Sequence, residues 1–164
     1  MAATTRSRRT RSDLSPEVLW YLESRGYEVP TCRPLIRTPE PRTVRGALFD
    51  PGRVDRVIRA LRLLPHTQGK WAGRPFEPDP WQVAYIIAPV FGWVAPGDDG
   101  ELVRIAQYVY VELPRKNGKT SLGARLMMYL AFADGEPGAQ VYTVAASKDQ
   151  ARHAFDPLRQ IALA

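Results

Sequence analysis

The chain has little of what disulfide-rich, membrane-spanning and secreted proteins require. Cys32 is its single cysteine, so no internal disulfide can form, which fits a reducing compartment such as the cytoplasm. The most apolar stretch, residues 83–94, is interrupted by Pro89 and Gly92 and is too short to span a bilayer. The first eleven residues have no apolar core, so no secretory signal is expected. The 164 residues instead suit one domain with a modest hydrophobic core.

Histidine is also scarce, and acidic residues are missing from the start of the chain. His66 and His153 lie far from one another and from any cluster of acids or cysteines, so a metal site built on histidine is not expected. The net charge of +6 is concentrated at the N-terminus, where residues 1–12 contain four arginines and no acid. We predict a disordered basic tail there. It either contacts nucleic-acid phosphates or is simply a solvated arm.

Helix caps and prolines organise the first half of the chain. Ser15-Pro16 and Asp50-Pro51 each place an N-cap residue before a proline at the first helical position. They predict one helix that ends at Gly26 and a second, with one apolar face, that stops before Pro65. Four prolines in the segment 27–46 predict an extended linker. Together, residues 13–69 are predicted to form a helical N-terminal region.

The most informative segment lies further along the chain. Residues 106–111 are rich in β-branched and aromatic residues and predict a buried strand, while apolar residues at helical spacing after Ser121 predict a helix. The intervening loop is Pro114-Arg115-Lys116-Asn117-Gly118-Lys119-Thr120-Ser121. A loop that leads from a strand into a helix N-terminus is a ready-made polyphosphate site. We therefore predict binding of a nucleoside triphosphate; the alternative is an ordinary helix start with a lysine in its first turn.

The residue types in this loop suit ATP and Mg²⁺. Gly118 lets the backbone approach the phosphates, and Lys119 places a point charge on the β- and γ-phosphates. Thr120 can offer its hydroxyl to Mg²⁺, with Ser121 as an alternative ligand. Arg115 can stabilise the transition state, so Arg115 and Lys119 are the candidate catalytic residues. The other candidate phosphate-loop contacts are Pro114, Lys116 and Asn117.

One position departs from the consensus phosphate loop, G-x-x-x-x-G-K-[ST]. The first glycine of that pattern would fall at position 113, where this chain has Leu113, followed by Pro114. The loop must therefore enter the site by a different backbone path.

Three segments resemble one protein family. Residues 114–120 resemble the deviant Walker A loop of tailed-phage terminase large subunits, which likewise often lacks the first glycine. Residues 70–82 resemble the family's adenine-recognition segment, in which an aromatic residue is followed shortly by Trp-Gln. Residues 141–151 resemble its second core strand, with an alanine-rich turn and a following helix. The three matches occur in the family's order and span about positions 70 to 160.

The resemblance implies an α/β fold of the P-loop NTPase type, an incomplete parallel sheet with flanking helices behind the small helical N-terminal region. Strands at 106–111 and 139–146, each followed by a helix, would belong to that sheet with right-handed crossovers. In the family's scheme Gln82, on a helix predicted for about 80–91, reads the adenine edge, and Phe76 stacks on the base. The alternatives are that Gln82 is an exposed helix residue and that the adjacent Trp81 is a core anchor.

ATP hydrolysis in this architecture needs a further element. This element is an apolar strand that ends in Asp and usually Glu. The Asp helps to hold Mg²⁺, and the Glu activates water. No such strand follows Ser121, and the carboxylate cluster of the family's nuclease domain is missing too. Residues 70–164 are therefore expected to be the front part of the ATPase domain, in a fragment, a split gene or a truncated reading frame. Whether this chain hydrolyses ATP stays open.

The resemblance also implies a function and partners. Terminase large subunits use ATP hydrolysis to package double-stranded DNA into procapsids in the host cytoplasm, without a membrane. The family's partners are the terminase small subunit, the portal protein and double-stranded DNA, in a homo-oligomeric ring. Two alternatives remain: a helicase-like P-loop ATPase fragment, and a truncated, non-catalytic product that binds nucleotide or DNA.

Overall fold

The computed structural model describes residues 13–67, 69–136 and 138–163, without the side chains of His153 and Ala154. The predicted basic tail, residues 1–12, lies outside the described residues. Helices predominate in the described part of the chain, and short strands lie between them. In chain order the elements are α1 (Pro16–Ser24), β1 (Leu48–Phe49), α2 (Pro51–Arg62), a 3₁₀ turn (Gly69–Trp71), α3 (Pro80–Gln82), a π-helical stretch (Val83–Ile87), α4 (Ala88–Phe91), β2 (Trp93–Pro96), β3 (Leu102–Arg104), α5 (Lys119–Phe132) and α6 (Lys148–Ala162).

The first two helices begin where their caps predict. The Ser15 hydroxyl accepts a hydrogen bond from the Val18 N–H at 3.3 Å, and the Asp50 carboxylate accepts from the Gly52 N–H at 2.9 Å. Each cap satisfies a backbone donor that the first helical turn leaves without a partner. The predicted caps Ser15 and Asp50 are thus confirmed.

The helix predicted for about 80–91 is also confirmed, with a wide turn in its middle. Residues 80–91 are helical throughout, but the Ala88 N–H donates to the carbonyl of Val83, five residues earlier. Pro89 has no N–H, and its ring would clash with the carbonyl of Tyr85 in a regular α-helix. The π-helical turn before Pro89 therefore lets the helix continue through the proline.

Three short strands form a sheet that the sequence pattern does not predict. The order is β1-β2-β3, and both pairings are antiparallel, with Phe49 opposite Trp93 and Val94 opposite Arg104. The turn at 97–100 closes the β2–β3 hairpin, where the Gly97 N–H donates to the Glu101 carbonyl at 2.8 Å. Strands of two to four residues contain too few alternations for the period to stand out.

The chain is therefore α/β, but its sheet is small and antiparallel. The segments 106–111 and 139–146, predicted as strands, are not paired with any strand in the described part of the chain. Their side chains are open to solvent, with Tyr108 95% and Val144 93% exposed. Backbone pairing is what holds a strand, and neither segment has a neighbour to pair with here. The parallel sheet stays a prediction.

The main hydrophobic core lies between α1, α2, the helix at 80–91 and α5. Its fully buried side chains include Val18 and Leu22 of α1, Val54 and Leu61 of α2, and Ile87. The inner face of α5 adds Leu122 and Tyr129 to this core. A second, smaller cluster of Ala124, Leu158 and Ile161 joins α5 to α6. The helix that follows the candidate phosphate loop is thus held on two sides.

No helix among the described residues is both long enough and apolar enough to cross a bilayer.

An ion pair ties α1 to α2 outside the core. The Asp55 carboxylate accepts hydrogen bonds from the Arg25 guanidinium at 2.7 Å and from the Tyr21 hydroxyl at 2.8 Å. The hydrogen bond from Arg25 is the main reason that the pKa of Asp55 lies below its usual value. Because the folded state favours the charged carboxylate, Asp55 stabilises the fold above its unfolded-state pKa, and this contribution is lost as pH falls through the lower folded-state pKa.

We expect Asp55→Asn to lower the free energy of unfolding by about 1 kcal/mol at pH 7, because a partly exposed charged hydrogen bond is lost. The difference from the wild type should begin to shrink below about pH 4. Urea unfolding between pH 7 and pH 2.5 measures it, with Asp98→Asn on the exposed turn as the control. A difference that does not change with pH would contradict this role of Asp55.

Candidate functional site

The predicted phosphate loop leads directly into α5. Gly118 immediately precedes the helix in the left-handed conformation, at φ 67° and ψ 10°. Lys116 also has a positive φ, 68°, which is uncommon for a residue with a Cβ and marks a constrained turn. Leu113, at the place of the first consensus glycine, does not have a positive φ. The chain therefore reverses at Lys116 and Gly118, so position 113 does not require glycine.

Two side chains brace this turn from inside. The Asn117 amide donates to the Pro114 carbonyl, and the Lys119 ammonium donates to the Leu113 carbonyl, each at 3.4 Å. Both distances are long for hydrogen bonds, so these contacts are weak. The Lys119 ammonium is therefore folded back over the loop and held there only loosely.

The N-terminus of α5 has no side-chain cap, unlike the other helices of comparable length. Ser15, Asp50 and Ser147 cap α1, α2 and α6, but no side chain accepts from the first turn of α5. That turn contains no acidic residue, and none occurs anywhere from 113 to 133. The unpaired N–H groups and the helix dipole make this end of α5 positive, and Arg115, Lys116 and Lys119 are exposed beside it.

The two hydroxyl candidates for Mg²⁺ differ in what surrounds them. Thr120 is exposed, whereas Ser121 is half-buried, and its hydroxyl accepts a hydrogen bond from Nη1 of Arg125 at 2.6 Å. A guanidinium so close to the oxygen repels a divalent cation. Thr120 is therefore better suited than Ser121 as a ligand. Within the described residues, no group of three or more His, Cys, Asp or Glu side chains could hold a metal ion.

Gln82 lies beside the loop. Its side chain is 3% exposed, so the alternative that it is an exposed helix residue is wrong. The amide oxygen accepts from the Asp79 N–H at 3.0 Å, which fixes the side chain against the start of α3. A Cβ built on Gly118 would lie 3.6 Å from Nε2 of Gln82. The structure thus brings the predicted base-reading amide and the phosphate loop together, while Trp81 is half-buried against the core.

Phe76 is placed differently from Gln82. It is only 5% exposed, and its ring is covered by Arg125, whose Cζ lies 4.4 Å from the ring centroid. The ring of His66 lies 5.4 Å away in a tilted arrangement. Little of the Phe76 ring is thus open to a nucleotide base. The exposed aromatic residue of this segment is Trp71, which is 48% exposed.

Arg125 belongs to the site, although the sequence does not single it out. It is 2% exposed and donates to the carbonyls of Leu64, Pro65 and Ser121 and to the Ser121 hydroxyl. Burial lowers the pKa of Arg125 to about 10, so the guanidinium is still charged at neutral pH. The available signal is its position three residues after the buried Leu122, on the inner face of α5.

The charge of Arg125 affects the pKa of the neighbouring His66. Burial is the main reason that the pKa of His66 lies below its usual value, and the nearby Arg125 lowers it further. His66 is therefore neutral at pH 7 and packs on Phe76 as an uncharged ring.

Comparison with known proteins adds one family. The family model described as terminase large subunit, ATPase domain, matches residues 80–163, just over half of the chain. No curated protein and no solved structure matches the chain. The matched range contains Gln82, the loop at 114–121 and α5, which meet at the site described above, and it also contains α6. The chain therefore belongs to the terminase large subunit ATPase domain family.

Proposed function

We propose that this chain is the ATP-binding part of a phage terminase large subunit, the motor that packages double-stranded DNA into procapsids with ATP hydrolysis. The observation that carries the proposal is the uncapped N-terminus of α5, with three exposed cations and no acidic residue from 113 to 133. Such a helix end attracts a polyphosphate through both its free N–H groups and its positive dipole. Membership of the terminase ATPase family supports the same ligand.

Lys119 is the main phosphate contact in this proposal. Its ammonium now donates only weakly to the Leu113 carbonyl, and a phosphate oxygen is a stronger acceptor because it is charged. Arg115 and Lys116 are exposed next to it and add positive charge. Arg115 is the group proposed to stabilise the transition state. Pro114, Asn117 and Gly118 shape the turn that exposes the backbone N–H groups.

Thr120 is the proposed protein ligand of Mg²⁺. The described residues offer no carboxylate cage, so the ion would be held chiefly by phosphate oxygens, water and this hydroxyl. Mg²⁺ held there would neutralise negative charge on the phosphates. Ser121 would lie beside the phosphates, but its hydroxyl oxygen already accepts a hydrogen bond from Arg125.

Gln82 is the proposed contact to the adenine base. Its amide oxygen is used by the Asp79 N–H, so its Nε2 group near Gly118 supplies the donors for the acceptor nitrogens of adenine. Base stacking by Phe76 remains part of the proposal. The base would stack on the ring face opposite Arg125, because Arg125 covers the other face.

The wider architecture is proposed at the level of the family. Residues 13–69 would form the helical N-terminal region and residues 70–164 the front part of the ATPase domain. The exposed apolar segments 106–111 and 139–146 would pair as strands of a parallel P-loop sheet once neighbouring strands are present. Double-stranded DNA, the terminase small subunit, the portal protein and a homo-oligomeric ring are the partners expected from the family.

We expect Lys119→Ala to weaken binding of ATP–Mg²⁺ at least about tenfold, because one charged contact to the phosphates is lost. Isothermal titration calorimetry measures the affinity. Lys148→Ala is the matched control, since it removes an equally exposed lysine from the start of α6. Equal affinities in the two variants would count against the phosphate site at α5.

We expect Thr120→Ala to reduce the increase in ATP affinity that Mg²⁺ causes by about tenfold, while the affinity for ATP in EDTA stays unchanged. Thr120→Ser keeps the hydroxyl and should keep the Mg²⁺ effect. If Thr120→Ser loses the effect as fully as Thr120→Ala, the methyl group matters rather than the hydroxyl, and Thr120 is not the metal ligand.

The chain should bind ATP but hydrolyse little of it. Residues 122–164 contain no apolar segment ending in Asp-Glu, so these 164 residues by themselves do not supply that group to activate water. Phosphate release in the presence of Mg²⁺ is therefore expected to stay at the level of a control without protein. Turnover typical of a motor ATPase, abolished in Lys119→Ala, would show that this expectation is wrong.

A further inference from the structure

Arg125 is a buried cation, and its hydrogen-bond acceptors in the described part of the chain include no carboxylate. Its side chain is 2% exposed, and its acceptors are three backbone carbonyls and one hydroxyl. Burying a charge is costly unless its donors are satisfied, and here Nε, Nη1 and Nη2 all find acceptors within 2.9 Å. The arrangement is therefore a clamp on backbone groups rather than an ion pair.

The clamp joins segments that are far apart in the chain. Nε and Nη2 hold the Leu64 and Pro65 carbonyls just after α2, while Nη1 holds Ser121 in the first turn of α5. The carbonyls after a helix have no helical partner, so the guanidinium satisfies acceptors that would otherwise be unpaired. Arg125 thus fixes the chain after α2 against the helix that follows the phosphate loop.

The guanidinium also contacts a third segment. Its Cζ lies 4.4 Å from the ring centroid of Phe76, a cation–π contact in a buried setting. Six residues after Phe76 comes Gln82, and its Nε2 would lie 3.6 Å from a Cβ built on Gly118, the residue before α5. The segment 76–82, which we term the base segment, therefore contacts Arg125 of α5 at one end and lies close to the start of α5 at the other.

We propose that Arg125 is a positioning residue that sets the base segment against the phosphate loop, so that base and phosphates are bound as one rigid site. This inference rests on the proposed function, since it assumes that the ligand is a nucleoside triphosphate. Arg125 itself touches neither the base nor the phosphates; it acts through Phe76, Ser121 and the chain after α2.

Lysine cannot replace arginine in this role. The guanidinium has donors on three nitrogens held in one plane, and all three nitrogens donate here while Cζ lies over the Phe76 ring. A lysine ammonium keeps the charge, but its single nitrogen cannot donate to both the chain after α2 and Ser121 while it lies over Phe76. Arg125→Lys therefore tests the geometry of the clamp, and Arg125→Met tests the charge.

The test compares two ligands in the full chain. ATP–Mg²⁺ requires both the base segment and the phosphate loop, whereas inorganic tripolyphosphate–Mg²⁺ requires only the loop. Calorimetric affinities for both ligands are measured in the wild type, Arg125→Lys, Arg125→Met and Arg152→Met, an exposed arginine of α6. The ratio of the two affinities does not depend on how much of a variant is folded, because both ligands see the same folded fraction.

We expect both Arg125 variants to lower the ratio of ATP to tripolyphosphate affinity about tenfold, with the ratio unchanged in Arg152→Met. If both affinities fall together and the ratio of ATP to tripolyphosphate affinity stays constant, Arg125 has a merely structural role and the inference is wrong. If Arg125→Met does not fold, an unchanged ratio in Arg125→Lys overturns the inference in the same way. If the wild type binds neither ligand, the proposed function itself fails, and this inference fails with it.

Discussion

The buried guanidinium of Arg125 is the contact on which the arrangement of the candidate site depends. It joins the chain after α2, the ring of Phe76 and the first turn of α5, which the hydrophobic core formed by α2, Phe76 and α5 also holds together. A charge this deeply buried is stable only while its acceptors stay in place. The need to satisfy every donor of the buried guanidinium makes the clamp costly and also rigid. Because Arg125 donates to the Ser121 hydroxyl, that hydroxyl is poorly suited to bind a metal ion.

The candidate phosphate loop at 114–121 has the opposite electrostatic character. Its cations are exposed and weakly held, and the N–H groups at the start of α5 have no side-chain acceptor. Unsatisfied donors on the surface are tolerated because water solvates them, and a polyphosphate can displace that water with stronger, charged hydrogen bonds. Neighbouring parts of α5 therefore have different roles. The start of the helix presents a positive surface, and Leu122 and Arg125 anchor the helix to the core.

The segments 106–111 and 139–146 show how a strand pattern differs from a strand. Both have the composition of buried strands, yet Tyr108 and Val144 are almost fully exposed, and neither segment is paired in the described part of the chain. The composition of a segment can favour a strand, but a sheet forms only when the backbone of that segment hydrogen-bonds to a neighbouring strand. The short antiparallel sheet of β1–β3 forms instead where a turn at 97–100 brings two strands together locally.

Local signals in the sequence determined the helices and the position of the phosphate loop. Ser15 and Asp50 cap their helices, and Gly118 starts α5, because capping and left-handed turns depend on residues only a few positions apart. The family, too, could be recognised from the residues between 80 and 163. Only the tertiary structure decided that Gln82 is buried beside Gly118, that Phe76 is covered, and that Arg125 points inward. Those outcomes depend on contacts between residues tens of positions apart, which no pattern within one element encodes.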